Sequence, residues 1–317
     1  MSSALYRTSL ALLLLSAPDR SGTAGQVKPP PEGAPRTPAL ERLLEGGGRV
    51  ERVATGFGFA EGPVWDVAGH LIFTDVTRNR ILRWHGPDQV TPWLDESGGA
   101  YGLARHPDGG LVAAQYGARQ VSRVDQEGSF SVLANAFGER PLNGPTDVAI
   151  GPEGAIYFTD PRQAAARGRD AASAVYRIAP GGAIEAVVDD VGYPNGVAIS
   201  SDGRSLYVSD GPAQQLRVYE IGADGNVGAG RVLASVQPWK RGVLGVPDGI
   251  AIDAEGRLFL AGPGGVWVLD ASGGRLGVIA TPETPSNCAF GGADGQTLYI
   301  TARTSLYRVR LKVAGAS

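Results

Sequence analysis

Six polar residues, Glu61, Tyr101, Thr146, Asn195, Asp248 and Asn287, each stand eight positions before a glycine that opens a short apolar run. The runs are GHLIFTD from Gly69, GGLVAAQ from Gly109, GAIYFTD from Gly154, GRSLYVSD from Gly203, GRLFLAG from Gly256 and GQTLYIT from Gly295. Two carboxylates and two carboxamides in one register, with a phenol and a hydroxyl between them, suit a hard cation. Oxygen donors without histidine or cysteine favour calcium, then magnesium or manganese, over zinc. Unpaired charges beside segments as apolar as GVAIS and GIAID would be costly without a cation or solvent. Taken singly, each residue is also ordinary turn punctuation, because P-N-G and P-D-G commonly precede strands. The shared register is what argues for a site.

Such a ring needs elements that converge on an axis. The six glycine runs recur every 39 to 53 residues, the range of a four-stranded propeller blade with loop insertions. Each is followed by a second alternating run (RILRW, QVSRVD, AVYRI, QLRVYEI, GVWVLD, SLYRVRL), and most by a third such as SVLAN or RLGVIAT. The last repeat lacks its third run, and RVERVATG, Arg49 to Gly56, is the missing strand. The expectation is an all-β fold, a six-bladed β-propeller closed by pairing of its N- and C-terminal strands, with the six polar residues around the channel entrance.

Composition agrees. Glycine (47) and proline (22) make up about a fifth of the 317 residues without a collagen period, which fits many short strands and tight turns. A formal charge of −3 gives no basic field for nucleic acid or anionic membrane, so the expected partner is a small molecule. One cysteine, Cys288, excludes an intrachain disulfide framework and reads as a buried hydrophobe. At the N-terminus Arg7 precedes the apolar stretch Ser9 to Ala17, too short to span a bilayer and suited to a secretory signal. The expected layout is a signal peptide over 1–24, an extended Pro/Gly-rich linker over 25–46, the propeller over 47–312 and a tail over 313–317. The expected location is periplasmic or secreted, with no membrane contact beyond the export signal.

The segments EGPVWD, PNGVAISSDGRSLYVSD, VPDGIAIDAEGRLFLAGPGGVWVLD and SNCAFGGADGQTLYITARTSLYRVRL resemble the SMP-30/gluconolactonase/luciferin-regenerating family. The resemblance implies a calcium-dependent hydrolase of lactones or related esters. It implies that Glu61, Asn195 and Asp248 are metal ligands, that Asp248 is also the catalytic acid or base, and that Arg140 and Asn143 lie near the substrate. Two departures concern the pocket wall. Thr146 replaces the asparagine of the family's P-N-D-V, and its hydroxyl has a shorter reach. The family's N-G-L followed by C-E-H-G reads here as YGL followed by Ala114, Gln115, Tyr116 and glycine. Tyr101 and Thr146 thus join Arg140 and Asn143 as candidate substrate contacts.

The implied chemistry needs no nucleophilic side chain: a lactone carbonyl polarised by a cation is open to water, and Asp248 would accept that water's proton. No G-x-S-x-G, H-E-x-x-H or phosphate-loop motif competes. The histidines, His70, His85 and His106, fall in turn or strand-end contexts away from the ring. Trp65 and Trp267 read as core, and Trp239 as a residue bordering the mouth. Two alternatives stand beside a sugar-lactone hydrolase: a non-catalytic metal-binding propeller that captures a small ligand, and a hydrolase of another ester class.

Overall fold

In the computed structural model, which describes residues 29–87, 89–162 and 172–316, the repeat becomes six four-stranded antiparallel sheets. Blade I runs through Ala60–Trp65, Leu71–Asp75, Arg80–Gly86 and Gln89–Asp95, and blade II through Ala100–Arg105, Leu111–Gln115, Gln120–Val124 and Phe130–Ala134. Blade III comprises Val148–Ile150, Ile156–Asp160, Ala174–Ile178 and Ile184–Val188; blade IV, Pro194–Ile199, Ser205–Asp210, Gln215–Glu220 and Arg231–Ser235. Blade V comprises Ile250–Ile252, Leu258–Gly262, Gly265–Leu269 and Arg275–Ala280. Blade VI has Asn287–Gly291, Thr297–Ala302 and Ser305–Arg310, and takes its fourth strand, Glu51–Thr55, from the start of the domain. That strand pairs antiparallel with Ser305–Arg310, the closure expected from RVERVATG.

The marker glycines explain why the repeat was visible. All six adopt left-handed φ, between 68° and 95°, and each amide donates to the carbonyl three residues earlier, as in Gly69 to Asp66 and Gly256 to Asp253. A side chain with a Cβ is strained there, so glycine punctuates the turn between the first two strands of every blade. The strands after these turns alternate onto both faces of a blade, and six apolar clusters fill the six gaps between neighbouring blades. Tyr207 and Leu216 of blade IV, for example, meet Ile250, Leu258 and Trp267 of blade V. Leu71 and Phe73 of blade I meet Tyr299 and Leu306 of blade VI, so the closing interface is packed like the others.

Two expected boundaries differ. The signal segment lies outside the described residues, but the described part of the stretch read as an extended linker is packed. Thr37 caps a six-residue helix, Pro38–Leu43, and its hydroxyl donates to the Leu276 carbonyl at 2.7 Å. Leu40, fully buried, enters the core between blades V and VI with Leu43 and Leu44. Proline at the first helical turn and apolar residues at positions 40, 43 and 44 make this segment a strap; its Pro/Gly flanks hid the short amphipathic centre. The tail is also tied down: the Gly315 amide donates to Gly295 and the Ala316 amide to Ile252. No helix among the described residues is long and apolar enough to cross a membrane.

Candidate functional site

The six ring positions come together where the first strands enter the blades. Glu61, Tyr101, Thr146, Asn195, Asp248 and Asn287 are all buried. Neighbouring first strands approach so closely that the residue after the ring position is glycine in four blades. A Cβ at Gly62, Gly102, Gly196 or Gly249 would collide with the next blade's backbone or ring side chain; at Gly196 it would strike the Asp248 carbonyl. The Gly102 amide donates to Thr146 across one such gap, and the Gly249 amide to Ser286 across another.

A second repeated device sets the height of these residues. Aspartates that end the second strands grip the loops arriving from the previous blade. Asp75 accepts the amides of Gly58 and Phe59, Asp160 those of Asn143 and Gly144, and Asp210 that of Gly192. The gripped amides lie two or three residues ahead of Glu61, Thr146 and Asn195. The preceding hydroxyl residue does related work: Thr74 donates to the Tyr101 carbonyl at 2.9 Å and Thr159 to the Asn195 carbonyl at 2.7 Å.

Three carboxylates are buried around this ring near enough to feel one another's charge. Beside Glu61 and Asp248 stands Asp147, which register counting missed because it occupies the position that is glycine in four other blades. An acid breaking that glycine pattern was the available signal. Asp147 Oδ2 accepts the Val197 amide at 3.1 Å. Glu61 Oε2 accepts the Gly62 amide at 2.7 Å and Asn287 Nδ2 at 3.3 Å. Burial, then the charge of Asp147, pushes Glu61 up to about 8. Burial pushes Asp147 up to about 7 against hydrogen bonds from Val197, Val148 and Asn287. Asp248 is raised well above the usual carboxylate range by burial and then by the charges of Glu61 and Asp147. Among the described residues no ion pair joins any of the three to a basic side chain.

Buried carboxylates that repel one another and lack a basic partner fit a cation. Among the described residues no three acidic, histidine or cysteine side chains gather closely enough to bind a metal by themselves. A cation here would therefore need amide, backbone or water oxygen as well. Asn195 can supply amide oxygen: its Nδ2 donates to the Pro247 carbonyl at 3.3 Å, beside Asp248, which leaves Oδ1 as the acceptor. Glu61, Asn195 and Asp248 thus fit as an all-oxygen donor set of the kind hard cations take.

The expected substrate contacts are placed unevenly. Tyr101 is buried close enough to Glu61 and Asp248 for their charges, after burial and the phenols of Tyr116 and Tyr193, to hold its phenol well above its usual ionisation range. Tyr116 stood out in the sequence only as a departure in the pocket wall, and Tyr193 not at all, because only Tyr101 falls in the ring register. Thr146 Oγ1 lies 2.9 Å from Thr159 Oγ1; because Thr159 donates to Asn195, the proton between the two hydroxyls comes from Thr146. Asn143 is buried with Nδ2 donating to the carbonyls of Asp160 and Ala172, while Oδ1 has no partner. Arg140 lies on an exposed two-stranded hairpin, Ala136–Phe137 with Arg140–Pro141, where its charge is felt by Tyr176.

The remaining expectations are met or redirected. His70 and His85 contact each other at the surface and His106 pairs with Asp108, all apart from the ring. Cys288 is buried, its thiol pushed up to about 12 by burial, and Trp267 is core. Trp239 donates to the Glu32 carbonyl at 3.2 Å and packs over Gly264, so it anchors the strap.

Fold and site together define a six-bladed propeller with an acidic, oxygen-rich axial mouth. The family described as SMP-30/Gluconolactonase/LRE-like region matches residues 59–304, and the chain belongs to it. The chain is 31% identical over 306 residues to a gluconolactonase of Zymomonas mobilis, covering 88% of this chain and 86% of that one. The solved structure of a gluconolactonase from Xanthomonas campestris superposes with a TM-score of 0.80 at 33% identity, over 90% of this chain and 98% of that one. A calcium-binding regucalcin from Agrobacterium tumefaciens shares the fold, with a TM-score of 0.71 at 23% identity over 84% and 95% of the two chains.

Proposed function

We propose that this protein is a lactone hydrolase that opens a sugar lactone of the gluconolactone type to its hydroxy acid, working at the axial mouth with a divalent cation, calcium by preference. The observation that carries this reading is the burial of Glu61, Asp147 and Asp248 around one ring, each of Glu61 and Asp248 feeling the charge of the others and none having a basic partner among the described residues. The gluconolactonase relatives support the substrate class.

Glu61, Asn195 and Asp248 would hold the cation, which when bound polarises the carbonyl and makes water more acidic. The protein supplies the rest. Asp248, ionised beside the cation, would accept a proton from the water that adds to the lactone carbonyl. As the ring C–O bond breaks, the same carboxyl returns the proton to the departing alkoxide, leaving carboxylic acid and alcohol. Tyr101 and the buried first strands limit the water that reaches the carboxylates. The apolar Ser9 to Ala17 stretch supports export of this enzyme to the periplasm or medium.

The test is hydrolysis of glucono-δ-lactone by the purified full chain with calcium, after chelation, and after calcium is restored. Turnover lost on chelation and recovered with calcium supports the reading. A rise in thermal stability with calcium and no turnover of any lactone or ester would instead establish a metal-holding, non-catalytic propeller.

A further inference from the structure

Only three histidines occur in 317 residues, and two of them, 15 positions apart in sequence, stand together. In blade I, Leu71 of the second strand pairs with Trp84 of the third, so the register brings His70 and His85 face to face on the next rung. Leu71 and Trp84 are buried in the core, and strand alternation turns the two histidines to the other face, His85 exposed and His70 half-buried. Their ring centres lie 4.3 Å apart with the planes at 68°, and their Nδ1 atoms only 3.2 Å apart, so each ring turns that nitrogen toward the other. His85 Nε2 lies 2.9 Å from Thr91 Oγ1 on the fourth strand of the blade. A hydrogen on Nε2 given to this hydroxyl leaves the Nδ1 lone pair of His85 free and holds the ring in place. The third histidine, His106, is held separately by Asp108 at 2.8 Å. The pair sits at the end of blade I remote from the mouth: Glu61 is opposite Thr74, and the strand from Thr74 back to His70 covers about 13 Å.

We propose that His70 and His85 form a second metal site, one that takes a borderline divalent cation, zinc by preference. Two imidazole nitrogens on a tetrahedral zinc, each about 2.0–2.1 Å from it, stand about 3.3 Å apart, close to the 3.2 Å between the two Nδ1 atoms. A square-planar ion with bonds of the same length would draw them to about 2.9 Å, which places copper(II) and nickel(II) behind zinc on geometry. Imidazole nitrogen is the wrong donor for calcium, which takes oxygen, so this site and the mouth select different ions. Among the described residues no third histidine, cysteine or acid joins the pair, so water completes the coordination. In the metal-free protein His70 donates its Nδ1 hydrogen to His85. Zinc replaces that hydrogen, which moves to His70 Nε2 through solvent and leaves both rings neutral. The ion then staples the start of the second strand to the end of the third and stabilises blade I by mass action. This site does not depend on lactone hydrolysis.

Zinc is titrated calorimetrically into the full chain in excess calcium, supplied to keep zinc from the oxygen donors of the mouth. One zinc per chain is expected. His70→Gln and His85→Gln should each weaken binding by about 10²-fold, because the second nitrogen meets the ion at high effective concentration. His106→Gln should leave it unchanged. Thr91→Val should weaken it about tenfold, the low end of the cost of losing the partner that orients a ligating histidine. His85 and Thr91 are exposed, so their variants keep the fold. Zinc should also raise the melting temperature of the wild-type chain by a few degrees and leave that of His85→Gln where it is. No zinc uptake by the wild-type chain, or an isotherm that survives both histidine substitutions, overturns the site, and neither result bears on lactone hydrolysis.

Discussion

Asn287 Nδ2 donates to Glu61 Oε2 at 3.3 Å, joining the last blade to the first across 226 residues of chain. The same amide also lowers the proton affinity of Asp147, so one carboxamide steadies two of the three buried acids in their charged form. Asn287→Asp would remove that donor and add a fourth carboxylate to the ring. The expected cost in chelator is about 1–3 kcal/mol, the scale of a buried group left without its partner. Excess calcium should recover part of it. Thermal melts with and without the ion check both statements.

Asp248→Asn keeps the shape of the side chain and removes its basicity. Turnover of a lactone should fall by about 10²–10⁴-fold, the usual contribution of a positioned general base. The circular dichroism spectrum should be unchanged. Glu61→Gln should act chiefly by weakening calcium binding, read as a higher calcium concentration at half-maximal activity.

The buried acids give the metal-free protein an unusual pH dependence. Glu61 is raised from 4.5 to about 8 and Asp147 from 3.8 to about 7, so the folded chain holds protons that the unfolded chain releases. Their contribution to stability is therefore fully present below the unfolded values and is lost as pH rises through about 7 and then 8. In chelator the melting temperature should fall by several degrees between about pH 5 and pH 8. With excess calcium the decline should shrink or reverse, because an ion held there would stabilise the ionised ring. A metal-free melting temperature that rises across this window would show that the acids are not held in the way their burial implies.

The strap is open to a simpler test. Leu40 is fully buried between blades V and VI, and Leu40→Ala should cost about 2–5 kcal/mol, seen as a lower melting temperature. Lactone KM should stay near wild type, because the strap packs on blades V and VI and not on the ring.

Much of this architecture was legible in the chain because its turns allow little choice. A left-handed turn demands glycine, so Gly69 and its five counterparts announced both the blade count and the ring register. Asp147 was not legible by the same counting, since its place is set by what the next blade leaves open, a three-dimensional fact. The strap was hidden for a compositional reason: its prolines and glycines resemble a linker, and its anchoring residues, Leu40, Leu43 and Leu44, are too few to show a helical period. The engagement of Thr146 by Thr159 depends on two strands meeting side by side, which no local pattern records.

The pairing of Glu51–Thr55 with Ser305–Arg310 also governs when this protein can become itself. The opening strand finds its partner only after the final strand has left the ribosome, so a nascent chain cannot seal the circle during synthesis. Contacts this distant form slowly. That delay leaves the circle an open arc of blades, with Glu51–Thr55 unpaired at its edge, until Ser305–Arg310 has been made.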